Sequence, residues 1–279
     1  MDNLILGCGY LGLRMAKKMI ARGDKVAALT RNRSAELASH GITPIIGDVT
    51  GGLDFSALGD EPVNVIWCIG LDRRAGKSMR EVYVGGLERV LGSTLNIHRW
   101  LHVSSTSVYG QTNGEWVDET SQTDPADDSG RTMLEAEQLL MRKLPFAIRL
   151  RFAGIYGPGR VLRRESLLRG EPVPGSAAKF LNLIHVDDGV TAVEAALTLG
   201  IDGDIYHVCD GHPPTRGELY STTAELLSAP EPAFLEGAST MEANRRLSNA
   251  KLRERLHWRP QYPSFREGLV QALTGSHAG

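Results

Sequence analysis

A short apolar segment, Asn3-Leu4-Ile5-Leu6, runs straight into Gly7-Cys8-Gly9-Tyr10-Leu11-Gly12, and this junction constrains the fold more than any other feature of the chain. Behind it Leu11, Met15, Met19 and Ile20 recur at helical spacing, with Arg14, Lys17, Lys18 and Arg22 between them, until Gly23 ends the pattern. Strand, glycine turn and amphipathic helix in that order describe the start of a dinucleotide-binding βαβ unit. The first glycine permits the tight turn, the second lets backbone approach a pyrophosphate, and the third allows helix and strand to pack closely. The helix start then offers unpaired N–H groups and a partial positive charge to phosphate. Gly7, Gly9, Tyr10, Leu11 and Gly12 are therefore expected at a cofactor diphosphate. A glycine turn without a ligand is the plainer alternative.

The alternation continues down the chain. Short apolar runs predict strands over residues 25–30, 44–46, 63–69, 100–103, 146–150 and 205–208, and periodic segments predict helices over 34–39, 79–95, 131–144 and 188–199. Such a series specifies the α/β class: a Rossmann-type doubly wound parallel sheet. Beyond Gly154 the pattern breaks up at Gly157-Pro158-Gly159, Pro172, Pro174 and Gly175, and again from Ala229 to Gly237. We expect a dinucleotide-binding domain over 1–155, its sheet completed by about 180–210, and a smaller, loop-rich and mainly C-terminal substrate region over 156–279.

Charge narrows the partners. Across 279 residues, 31 Lys and Arg face 33 Asp and Glu, a formal charge of -2. A protein that neutralises nucleic acid phosphates needs a basic excess, and a membrane span needs an apolar run of roughly 18 to 20 residues. Neither is present, so the expected partner is a small-molecule substrate. The cysteines Cys8, Cys68 and Cys209 are too scattered for a zinc cage or a disulfide framework, and their odd number suits a reducing compartment. With the first strand beginning almost at once, the expected location is cytoplasmic. No metal site is expected; His185 with Asp187 and Asp188 is explained more simply as a strand-to-helix junction capped by Asp188. No motif bears on the oligomeric state.

The second strand ends in Thr30-Arg31-Asn32-Arg33, where an acidic residue would bond the ribose 2′-hydroxyl of NAD. Two arginines suit a 2′-phosphate instead, so NADP is the preferred cofactor and NAD the alternative. Asp48, after the third strand, is placed to meet the adenine amino group. Ile69, Gly70 and Ser104 lie at later strand ends and complete the expected cofactor contacts.

At Ser104-Ser105-Thr106-Ser107-Val108-Tyr109-Gly110 the sequence resembles the extended short-chain dehydrogenase/reductases, the group that includes nucleotide-sugar epimerases and dehydratases. The likeness extends through Arg149-Leu150-Arg151-Phe152-Ala153-Gly154-Ile155-Tyr156-Gly157-Pro158-Gly159, His185-Val186-Asp187-Asp188 and Tyr206-His207-Val208-Cys209-Asp210. It implies that Ser105 is the serine that hydrogen-bonds the reacting oxygen. It also implies a Tyr-x-x-x-Lys pair on the following helix, the tyrosine to move a proton and the lysine to lower its pKa and hold the nicotinamide ribose. Here Ser129 stands in the tyrosine position and Met133 in the lysine position, and no tyrosine anywhere in the chain is followed four residues later by lysine. The resemblance is thus to an atypical extended member.

Tyr83, in the position of a supporting asparagine of that family, Tyr109 and Tyr156 are the tyrosines whose motifs fall near the nicotinamide half of such a site. Each also has a packing explanation. Ser105 and Tyr109 are the catalytic candidates, and Thr106, Tyr156 and Arg160 are expected to face the substrate. The segments about 159–179 and 229–249, expected to select the substrate, carry no interpretable motif. Three functions remain open: an NAD(P)-dependent oxidoreductase or epimerase-like enzyme with a non-standard proton donor, a catalytically silent NADP(H)-binding sensor, and a non-redox dehydratase.

Overall fold

In the computed structural model, which describes residues 2–235 and 243–275, the strand that feeds the glycine turn lies inside a seven-stranded sheet. The strands are β1 (Asn3–Leu6), β2 (Val26–Thr30), β3 (Thr43–Ile46), β4 (Val63–Trp67), β5 (Ile97–Ser105), β6 (Glu115–Val117), β7 (Ile148–Phe152), β8 (Gly154–Tyr156), β9 (Val173–Pro174), β10 (Leu183–His185), β11 (Ile205–Val208), β12 (Phe234–Leu235) and β13 (Arg245–Leu247). The main sheet has the order β11-β7-β5-β4-β1-β2-β3, and β1 runs parallel to both β2 and β4. Every residue of β1 and β2 is buried, as continuous apolar strands covered on both faces require. The chain moves outward from β1 to β3 and then returns to the other side of β1 with β4. That reversal is the point at which such sheets open a crevice for ligands beyond their carboxyl ends.

The helices are α1 (Tyr10–Ala21), α2 (Ser34–Ser39), α3 (Gly86–Leu91), α4 (Asp128–Lys143), α5 (Arg164–Leu168), α6 (Val186–Leu199), α7 (Arg216–Leu227), α8 (Ala250–Arg255) and α9 (Phe265–Thr274). The expected helix over 79–95 is helical only to Leu91 and passes through a π-turn at Glu81–Gly85. Of the four helices not expected from the sequence, α5, α7, α8 and α9, two begin with a capping box, α7 with Thr215 and Glu218 and α9 with Ser264 and Glu267. Those Thr-x-x-Glu and Ser-x-x-Glu spacings are visible in the sequence and were the signal to use. No described helix is long and apolar enough to cross a membrane.

The chain divides into two compact units. The first comprises the residues up to Val108, Asp127–Arg151 and Val193–Ile205; the second comprises Tyr109–Ala126, Phe152–Ala192 and the residues from Tyr206 onward. The second unit takes an early insertion, Tyr109–Ala126, that a boundary near residue 155 does not include, and the first takes back Val193–Ile205, within the 180–210 range expected to complete its sheet. In the first unit Leu6, Trp67 and Trp100 pack with Val84, Leu87, Leu139 and Leu140. The core of the second unit gathers Tyr156, Leu167, Val173, Leu183, Leu219, Phe265 and Leu269. Asp188 does not cap its own helix as expected: its carboxylate accepts the backbone N–H groups of Gln261 (2.6 Å) and Tyr262 (3.0 Å) and so pins a distant segment. Residues 236–242 of the segment expected to select substrate lie outside the described residues.

Candidate functional site

The three glycines of the first turn are required for different reasons. Gly7 has φ of +104°, and a Cβ there would lie 2.5 Å from the carbonyl carbon and oxygen of Cys68. A Cβ at Gly12 would lie 2.4 Å from the Gly7 carbonyl oxygen. These two positions are closed by the protein's own backbone. At Gly9, which is exposed, a Cβ would meet nothing within 4 Å. No contact within the protein therefore demands glycine at position 9, whereas a diphosphate lying on the turn would. Helix α1 starts beside it with no capping side chain and no acidic residue in its first turn, which leaves the helix start electropositive. A dinucleotide diphosphate fits this cradle.

The flanking residues are held from several directions. The Leu11 side chain is buried, so its side of the turn faces the core, while the Arg14 guanidinium lies 4.2 Å over the Tyr10 ring. Ile69 is half-buried and Gly70 exposed, with open space where a Cβ would be. The Cys68 thiol donates to the Gly7 carbonyl at 3.1 Å. Burial pushes the Cys8 thiol up to about 11, which makes it an unreactive neighbour of the turn.

Both arginines after β2 already have carboxylate partners. Arg33 donates through Nη1 to the Cys8 carbonyl (2.8 Å), and its Nε and Nη2 clasp Glu36. The guanidinium thereby braces the glycine turn with its charge compensated. Arg31 pairs with Asp72 at 2.7 Å, both side chains being well exposed. An exposed pair of this kind is worth about 0–1 kcal/mol, so Arg31 can exchange its partner for another anion at little cost. Asp48 is half-buried and one carboxylate oxygen accepts both the N–H (2.7 Å) and the hydroxyl (2.8 Å) of Thr50. Burial works to raise its carboxyl, but the two Thr50 bonds and the Arg31 charge prevail and hold it below the ordinary value.

At the end of β5 neighbouring serines point to opposite faces. Ser104 is buried, and its hydroxyl donates to Glu137 at 2.6 Å; Glu137 in turn receives Nε (3.0 Å) and Nη2 (2.7 Å) of Arg151. Burial alone would raise the Glu137 carboxyl, but Arg151 and Ser104 outweigh it and hold the group ionised. Ser104, expected to touch the cofactor, instead anchors the strand end to α4. Ser105 is half-buried and its Oγ accepts the Ser107 N–H at 3.1 Å. Thr106 is buried, which removes it from the expected substrate surface. On α4, Ser129 is half-buried, and Met133 is buried one turn before Glu137.

In the second unit Tyr109 is 1% exposed, with its hydroxyl 2.7 Å from His207 Nε2 and 3.1 Å from the Asp118 carbonyl. The His207 Nδ1 faces the Ser248 carbonyl at 3.1 Å and donates there, so the tyrosine proton lies between two acceptors, Nε2 and the Asp118 carbonyl. This environment gives Tyr109 a structural task in place of the catalytic one expected. Tyr156 is also 1% exposed, and a Cβ on Gly268 of α9 would stand 1.9 Å from its hydroxyl. Its ring meets His185 edge-on at 5.4 Å. Burial, then the nearby Asp210, Asp188 and Glu267 charges, pushes the phenol far above its ordinary value. It is a core residue, which corrects its expected place against substrate. Arg160 is exposed in a tight turn that its backbone closes with Gly157.

Residues 3–209 match the model of the NAD dependent epimerase/dehydratase family. The chain is 30% identical to protein YeeZ of Escherichia coli K12 over 269 residues, covering 93% of this chain and 95% of that protein. Among solved structures, a candidate NAD-dependent epimerase/dehydratase from Methylobacillus flagellatus superposes with a TM-score of 0.77 at 31% identity, over 98% of this chain and 97% of that one. A dTDP-glucose 4,6-dehydratase from Bacillus anthracis, solved in complex with NAD, superposes with a TM-score of 0.79 at 18% identity, over 98% and 96% of the two chains. That last likeness is one of fold.

Proposed function

Because the chain belongs to the NAD dependent epimerase/dehydratase family, we propose that it binds a nicotinamide dinucleotide on its first glycine turn and acts as an oxidoreductase or epimerase-like enzyme on a small polar substrate. The observation that carries this reading is Gly9, a glycine with open space where a Cβ would be, at the exposed start of a helix without cap or acid. When bound, the dinucleotide supplies or takes the hydride. The chain's own part is to seat the diphosphate on the Gly7–Gly12 backbone, to brace that turn through Arg33, and to present the Ser105 hydroxyl at the end of β5.

NADP is the preferred form. Arg33 is neutralised by Glu36, so the counter-charge for a 2′-phosphate falls to Arg31, whose exposed link to Asp72 is easily exchanged. Tryptophan-fluorescence titrations with NADPH and NADH test both parts. NADPH is expected to bind at least about tenfold more tightly, a difference of about 1.4 kcal/mol, and Arg31→Ala to remove that preference. Gly9→Ala has room in the protein and should keep its unfolding midpoint while losing dinucleotide affinity. Equal binding by Gly9→Ala and the natural chain refutes the site.

A further inference from the structure

If this site performs hydride chemistry, a proton must reach the substrate oxygen. Ser129 and Met133 stand where the expected pair would be, Tyr109 is buried with its hydroxyl engaged by the Asp118 carbonyl and His207, and Tyr156 is enclosed in the core. Tyr83 is placed differently. It sits at the centre of the π-turn Glu81–Gly85, an irregularity that re-aims the side chains it carries. The turn is held hard against its support: a Cβ on Gly86 would lie 2.9 Å from Val49 Cγ2.

The Tyr83 ring is half-buried and its hydroxyl accepts the Leu71 N–H at 3.0 Å. Leu71 lies two residues beyond Ile69, whose backbone nitrogen would be 2.6 Å from a Cβ on Gly7. The hydroxyl is thus fixed to the segment that leaves the carboxyl end of β4, at the strand-order reversal where doubly wound sheets bind their ligands. Among the described residues, no group accepts the Tyr83 proton.

We propose that the Tyr83 hydroxyl is the group that exchanges a proton with the substrate oxygen at this site, in the role of the missing Tyr-x-x-x-Lys pair; the inference rests on the dinucleotide-binding reading above. A substrate carbonyl that takes a hydride from the reduced dinucleotide moves its π pair onto oxygen. The Tyr83 O–H bond breaks, and its proton forms the new O–H bond of the alcohol. The phenolate left behind keeps the Leu71 N–H bond and recovers a proton from water. In the oxidising direction the phenolate takes the alcohol proton as the hydride leaves.

The surroundings suit both states. Burial is the largest influence and pushes the phenol up, so the hydroxyl is protonated at neutral pH; the Leu71 N–H and the positive charge of Arg73 pull the other way and favour the transient phenolate. Arg73 thereby supplies the charge that methionine at position 133 cannot.

Two measurements on the full chain test this without a known substrate. NADPH binding is read from tryptophan fluorescence, and tyrosine ionisation from near-ultraviolet tyrosinate absorbance, with and without saturating NADP⁺. The oxidised nicotinamide ring carries a positive charge, and an opposite charge within about 4–6 Å lowers a phenol by at least about one pH unit. One tyrosine of the natural chain should therefore titrate lower with NADP⁺, and Tyr83→Phe should lose that shift while its NADPH affinity is undiminished. A shift that persists in Tyr83→Phe, or no shift in a natural chain that binds NADPH, overturns the proposal. Failure of the natural chain to bind either NADPH or NADH overturns the dinucleotide reading as well; where NADH alone binds, NAD⁺ takes the place of NADP⁺ in the titration. Should Tyr83→Phe not fold, Arg73→Gln retains the tyrosine and its Leu71 bond; it should raise the NADP⁺-sensitive titration, and an unchanged value refutes the assignment.

Discussion

Asp210, just beyond β11, offers a sharp test of the electrostatics of the second unit. Its carboxyl is 2% exposed; one oxygen accepts the His212 N–H at 2.9 Å, and the other has no hydrogen-bond partner. Burial, with the Asp188 and Glu267 charges behind it, pushes the group from 3.8 up to about 8. An unfolded chain releases this proton near 3.8 and the folded one only near 8, so over that interval the folded state binds one more proton. The stability due to the neutral carboxyl is fully present below the unfolded value and is lost as pH rises through the folded one, at about 1.4 kcal/mol per pH unit. Asp210→Asn keeps the shape and is neutral throughout. Between about pH 5 and about pH 7.5 the stability of the variant relative to the natural chain should therefore grow by about 3 kcal/mol. His102, which burial holds near 4, contributes a slope of the opposite sign up to about 6.5, but it does so in both proteins and cancels in the difference. Urea unfolding across a buffer series at constant salt measures it. A difference that is flat or falling with pH refutes the argument.

Removing one partner from the buried Arg151–Glu137 pair should cost far more than any surface ion pair: Glu137→Ala is expected to lose about 3–5 kcal/mol and Ser104→Ala about 1.5–3 kcal/mol in urea unfolding, with the double variant losing less than the sum. Gly268→Ala would place its Cβ 1.9 Å from the Tyr156 hydroxyl and should destabilise by about 1–3 kcal/mol; in a Tyr156→Phe background the cost should shrink, and an equal cost in both backgrounds would refute the contact.

The sheet was legible because burial on both faces writes itself as continuous apolar strands. Asn3–Leu6, Val26–Thr30 and Ile205–Val208 fall where their sequence pattern puts them, to within a residue. The short pairs were not legible. Strands β6 and β13 have three residues each and lie some 130 positions apart, with Arg245 opposite Glu115, so neither has a period long enough to read. The interleaving of the two units has the same origin: contacts between distant segments decide it, and local pattern does not record them.

At the site the division runs between backbone and side chain. The glycine turn at Gly7 and Gly12 is legible from spacing because a steric requirement on backbone belongs to the position itself, whereas the carboxylates that pair with Arg31 and Arg33, Asp72 and Glu36, are not. Which hydroxyl is available is another matter. Ser104 and Ser105 are adjacent and chemically equal, yet Glu137, 33 residues away, claims only the first. Tyr109 and Tyr156 sit in motifs that suggest chemistry, but the Asp118 carbonyl and His207, 98 residues on, engage the hydroxyl of one, and α9 closes over the other. In the sequence Tyr83 stands beside Tyr109 and Tyr156 as a tyrosine expected near the nicotinamide half, and as a departure from an expected asparagine. It is the structure that separates it from the other two, since its single hydrogen bond is one it accepts, and a hydroxyl that only accepts still has a proton to give.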